Sequence, residues 1–214
     1  MTRGRRGRCA RVIAFELPCR VAGCCGIADG NDVQVAICTP PTLMSSDLPR
    51  IFPSLPMGSR VSVVTVMQKA SEDLVQVTSA VALEKDRLLR HFFDYATALC
   101  NALSTADSNC FVDFVDPCSG LPVNTERGGA IYDEVESAQS LLKMQTSSVG
   151  CCSILHHPQW GTRVYPGSIV STASVDVISA AVDALHETLR GLSQPTLQCR
   201  SSDERDGELL INMQ

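Results

Sequence analysis

The segment Val149-Gly150-Cys151-Cys152 sets two thiols side by side. A thiolate is both a nucleophile and a soft metal ligand, yet a free cysteine of ordinary pKa is ionised to only a few per cent at neutral pH. Coordination to a metal removes that proton outright. If the segment is a strand, neighbouring residues point to opposite faces. The two sulfurs then cannot readily serve one tetrahedral ion or bond to each other. One faces a partner and the other faces the core. Ser153 shares a face with Cys151 and Ile154 with Cys152, which favours Cys151 as the accessible thiol, although Leu155 and His156 pull the other way. The competing reading, towards which pattern alone leans, is a pair of buried core cysteines.

Other reactive residues divide in the same manner. His156, His157 and Arg163 lie close enough in sequence to favour a thiolate, with no spacing that fixes their distance to sulfur. His156 and His157 alternate faces, which argues against a zinc pair. A Cys-His nucleophile lacks an evident oxyanion donor and orienting group. Asp113 and Asp116 could act as acid and base, but carboxylates at a strand end more often organise a turn. Trp160, the single tryptophan, is either a core plug or an interface anchor. Cys100 and Cys110 read as small core residues. Cys19, Cys24, Cys25 and Cys38 do not form spaced Cys-x-x-Cys pairs. No glycine pattern matches a nucleotide fingerprint.

The elements that must position these groups follow from periodicity. Val33–Cys38 alternates as a strand ended by Pro40-Pro41, and Ser45–Phe52 fits a short helix entered at a Ser-Ser-Asp cap. Val61–Met67 and Val75–Leu83 read as an antiparallel hairpin around a turn at 69–73. Glu84–Leu103 carries the clearest helical stripe, in Leu88, Phe92, Ala96, Leu99 and Leu103. Cys110–Val115 is a strand closed by an Asp-Pro-x-x-Gly turn. Residues 121–148 are ambiguous, with a helix suggested at Tyr132–Met144. Gly150–His157 and Arg163–Thr172 read as a second hairpin, and Ser174 caps a last helix over Val175–Leu192. Strands paired as hairpins beneath packed helices make an α+β class with a mixed or antiparallel sheet.

The 214 residues fit an arginine-rich leader or disordered tail over 1–32, a folded domain over 33–192 and a polar tail over 193–214. Apolar residues make up 44%, enough for a core. Residues 1–28 hold six arginines and one acid, leaving 12 basic against 22 acidic residues in the remainder. An acidic body argues against nucleic acid as the partner. No apolar run is long enough to span a membrane. The basic, acid-poor start has the composition of a mitochondrial leader, so mitochondrial and cytoplasmic placements both stand. With no secretory signal, most of the eleven cysteines are expected to be reduced, and an odd number forbids complete pairing within one chain.

Two segments carry a specific likeness: Phe111-Val112-Asp113-Phe114-Val115-Asp116-Pro117-Cys118-Ser119-Gly120-Leu121, and Gly150-Cys151-Cys152 running through His156, Trp160-Gly161-Thr162 and Gly167-Ser168-Ile169. With Phe52-Pro53, Val64-Thr65-Val66 and Gln68-Lys69 in the same order upstream, the chain resembles the methylmalonic aciduria and homocystinuria type D family. The resemblance implies a modified nitroreductase-like fold without flavin, and a protein that is not an enzyme. It implies cobalamin received from the type C processing protein and routed to methionine synthase and methylmalonyl-CoA mutase. It assigns the cobalt-coordinating thiolate to Cys151. The residues beside it leave Cys152 as a candidate supporting thiol and Trp160 as a candidate interface residue. Cys118 departs from the serine common in the family, and Pro122–Val149 keeps little of its wording. The alternative is a flavin-dependent oxidoreductase of the related fold.

Overall fold

The computed structural model describes residues 8–15, 33–150 and 152–193. In chain order these form β1 (Arg8–Phe15), β2 (Val33–Thr39), α1 (Thr42–Ile51), β3 (Ser62–Lys69), α2 (Ser79–Ala106), β4 (Val112–Asp116), β5 (Leu121–Pro122), α3 (Glu134–Leu142), β6 (Gln145–Val149), β7 (Cys152–His156), β8 (Val164–Ser171) and α4 (Val175–Ser193). Six strands make one sheet in the order β1-β2-β3-β8-β4-β5, with every adjacent pair antiparallel. β6 and β7 form a separate two-stranded ribbon.

β3 is buried on both faces from Ser62 to Gln68, as its position inside the sheet demands. The pleat then sorts the core. Val35, Ile37, Val64, Val66 and Ile169 turn one way, against α2 and α4. Ala36, Cys38, Val63 and Val170 turn the other way, against Leu48 and Ile51 of α1 and Leu141 of α3. Phe92 of α2 meets Phe114 of β4 edge-to-face, with ring centroids 5.9 Å apart. Gly167 in β8 is required here, because a Cβ would collide with the Phe92 ring. The α+β class with an antiparallel sheet and packed helices is what the periodicity suggested.

Several expected elements differ. Val75–Leu83 is not a strand paired with β3: β3 already lies between β2 and β8, and α2 begins at Ser79. The Thr78 hydroxyl accepts the Val81 amide at 3.2 Å, and Val81, Glu84 and Leu88 bury at helical spacing. The alternation of Val75 and Val77 carries no burial, since Val77 is wholly exposed. The second expected hairpin also changes partners. β7 pairs with β6, whereas β8 pairs with β3 and β4. The polar β6, Gln-Thr-Ser-Ser-Val, has no apolar alternation to announce it. α1 starts at Thr42 behind Pro41 with no side-chain cap, and it continues through Pro49. Within 1–32, read from composition as irregular, Arg8–Phe15 pairs with β2 as an edge strand.

Candidate functional site

The β6–β7 ribbon carries the double cysteine. At its root Leu155 is buried with Met67, Ala138 and Val164, and Met144 and Trp160 pack against that cluster. Towards the far end the packing stops: Val149 is 61% exposed, and Gly150, Cys152 and Ser153 are exposed as well. Val149 pairs with Cys152, so the strands are joined by the two residues 150 and 151. Gly150 has φ +61°, the sign that two-residue hairpin turns require at their first position. A Cβ there would meet nothing within 4 Å, so the need for glycine is conformational and not steric. Cys151 itself lies outside the described residues. Its neighbours on both sides face solvent. Cys152 is an exposed thiol, which corrects the expectation that it would face the core. The alternation of faces begins to matter only towards Leu155: Cys152 and Ser153 are exposed, Ile154 is half-buried and Leu155 is buried.

The ribbon root is fixed by His157. Its Nδ1 accepts the backbone amides of Gln159 and Trp160, each at 3.2 Å. The ring proton therefore sits on Nε2, which donates to Gln34 Oε1 at 3.0 Å. Burial lowers the pKa of His157 and keeps the ring neutral. Trp160 stacks on this ring with centroids 4.0 Å apart and planes at 17°. Trp160 is thus half-buried and serves as a plug at the ribbon root while keeping one part open to solvent. The following loop is tied down by Thr162, whose hydroxyl donates to Asp73 at 2.7 Å, and by Arg163, whose guanidinium donates to the Ser71 carbonyl. Arg163 is engaged there. His156 hydrogen-bonds Ser147 across the ribbon at 2.7 Å.

The remaining reactive residues are structural. Asp113 is fully buried and accepts the amides of Phe114, Asn124 and Thr125 and the Thr125 hydroxyl. Asp116 accepts from the Cys118 amide and the Ser119 hydroxyl, which closes the turn. They do not form an acid–base pair. Cys100 is a core thiol that burial pushes up to about 12, and Cys110 is raised for the same reason. Among the described residues no group of three or more His, Cys, Asp or Glu could hold a metal ion, and no helix is long and apolar enough to cross a membrane. Sequence reasoning missed a buried polar set between the sheet and α3. Thr65 and Ser168 are cross-strand partners, and the Ser168 hydroxyl bonds the buried Glu134 carboxyl at 2.6 Å. Burial raises Glu134 to about 8. These residues carry no local signature, because only the strand register and the seat of α3 bring them together.

The profile of the methylmalonic aciduria and homocystinuria type D protein family matches residues 21–185, which spans both segments singled out above. The chain belongs to this family. Proteins named cobalamin trafficking protein CblD from Rattus norvegicus and from Homo sapiens are each 32% identical to it over 144 residues. The protein of that name from Gallus gallus is 29% identical over the same length. In each case the match covers 67% of this chain and 48% of the relative, so the chain spans about half the length of the curated relatives it matches. Family membership gives the Gly-Cys-Cys turn a context that periodicity could not supply.

Proposed function

We propose that this chain is a cobalamin trafficking adaptor, not an enzyme, and that Cys151 supplies the thiolate that bonds cobalt while a processing partner holds the rest of the corrin. The observation that carries the reading is the exposure of Val149, Gly150 and Cys152, on either side of position 151, at the tip of the β6–β7 ribbon. A planar macrocycle can approach a tip but not a buried strand. The relatives' name supplies the cargo, and a soft thiolate suits its cobalt. Cys151 would give up its thiol proton to buffer and supply the sulfur lone pair that bonds cobalt, in place of a water ligand.

Cys152, also exposed, is the supporting thiol in this reading, and the Trp160 loop at the ribbon root meets the partner. The processing partner is the type C protein, and methionine synthase and methylmalonyl-CoA mutase are the destinations, in cytoplasm and mitochondrion. The antiparallel sheet covered by helices on both faces supports reading the fold as a modified nitroreductase-like one, and in this reading the chain works without flavin. Mixing the chain with partner-bound aquacobalamin should produce a sulfur-to-cobalt charge-transfer absorption. Cys151→Ser should abolish it, and Cys152→Ser should leave it in place. An unchanged spectrum with Cys151→Ser would refute the assignment.

A further inference from the structure

A cavity of about 230 Å³ opens at the root of the ribbon, away from the cysteine tip. Its floor is the sheet at Ala36 and Thr65, and its walls include Met67, Leu142 and Met144. The loop at His157 and Gln159, with Gln34 of β2, forms its polar rim. Two features set it apart from a packing defect. Thr65 is 1% exposed, and its hydroxyl has no hydrogen-bond partner among the described residues. A buried hydroxyl left unsatisfied is costly, and few such groups persist without a reason. The rim is polar but neutral: His157 is locked as the Nε2–H tautomer, and the Gln34 amide donates in turn to Gln159 Oε1 at 3.2 Å. No charged side chain stands among the described lining residues.

We infer that this cavity binds a small neutral carboxamide, whose polar end pairs with Thr65 and whose short apolar body lies against the two methionines. The hydroxyl both donates and accepts, so it can satisfy the C=O and the N–H of a primary amide together. A carboxylate or an ammonium would enter a site with no counter-charge, which the desolvation cost forbids. Met67 and Met144 are unbranched and re-orient easily, so they can admit a group as far as Thr65. The inference stands independently of the cobalt bond.

The test uses the full chain with 13C-labelled methionine methyls and propionamide as the probe. The Met67 and Met144 signals should shift saturably with propionamide and stay unmoved by propionate at the same pH. Thr65→Val keeps the shape and deletes the hydroxyl. It should raise the melting temperature of the free protein, because an unpaired polar group is removed, and weaken propionamide about tenfold. Thr65→Ser keeps the hydroxyl and should retain binding, which guards against a misfolded Val variant. Cyanocobalamin bears primary carboxamides around its corrin. If it competes with propionamide, those arms are the source of the ligand. If it does not compete, a free small amide is. No saturable shift in the wild type, or equal shifts with propionate or with Thr65→Val, would overturn the inference.

Discussion

Asp113 and Glu134 are both buried carboxyls, and their surroundings give them opposite duties. Asp113 accepts four hydrogen bonds, three of them from backbone amides, and so anchors the chain leaving β5 to β4. Asp113→Ala strands those donors and should destabilise the fold by about 3 kcal/mol, read as a drop in the urea midpoint. Glu134 has one oxygen bonded to Ser168 and the other without a partner among the described residues, and burial holds its pKa at about 8 against 4.5 in the unfolded chain. The folded state therefore keeps a proton that the unfolded state loses as pH rises past 4.5. The stabilisation is complete below that value and decays up to about pH 8, in total about 5 kcal/mol. Urea midpoints should fall between pH 5 and pH 8 in the wild type, and Glu134→Gln should flatten the dependence over this window. A Gln variant with the wild-type profile would place the titration elsewhere.

At the scale of elements, periodicity was reliable where one helix face or one strand face had to be buried. The stripe Leu88, Phe92, Ala96, Leu99 and Leu103 is buried in α2, as its spacing demands. Periodicity failed where alternation occurred without burial. Val75 and Val77 alternate, yet Thr78 caps a helix and consigns Val77 to solvent. Thr78→Ala should cost about 1 kcal/mol, measured by thermal or urea unfolding, because it strips the Val81 amide of its partner. A cost near zero would mean that the cap is redundant. The ribbon was half legible. The cysteine strand was found, but its partner β6 is polar and mostly exposed, so no hydrophobic pattern could disclose it. The exposure of Cys152 was likewise hidden, since face alternation says nothing where neither face is packed. The turn at Gly150 could have been suspected from a glycine beside two strand-like runs, and the cavity around Thr65 could not. Its residues come from β2, β3, the end of α3 and the loop after β7.

Over the whole molecule, one sheet covered by α2 and α4 on one face and by α1 and α3 on the other provides rigidity, and the ribbon extends from it as a separate unit. Loops and tips carried by a stiff frame are where recognition groups concentrate. The frame sets the ribbon root through His157 and Trp160. The division suits the adaptor proposed above, in which the tip would offer sulfur to a cofactor held by another protein. The most direct measurement is cobalt K-edge X-ray absorption on the complex of this chain with partner-bound cobalamin. Expected is a sulfur atom in the first shell of cobalt, lost in Cys151→Ser and kept in Cys152→Ser. A first shell of nitrogen and oxygen alone in the wild type, or sulfur that persists in Cys151→Ser, would contradict the assignment of the cobalt ligand to Cys151.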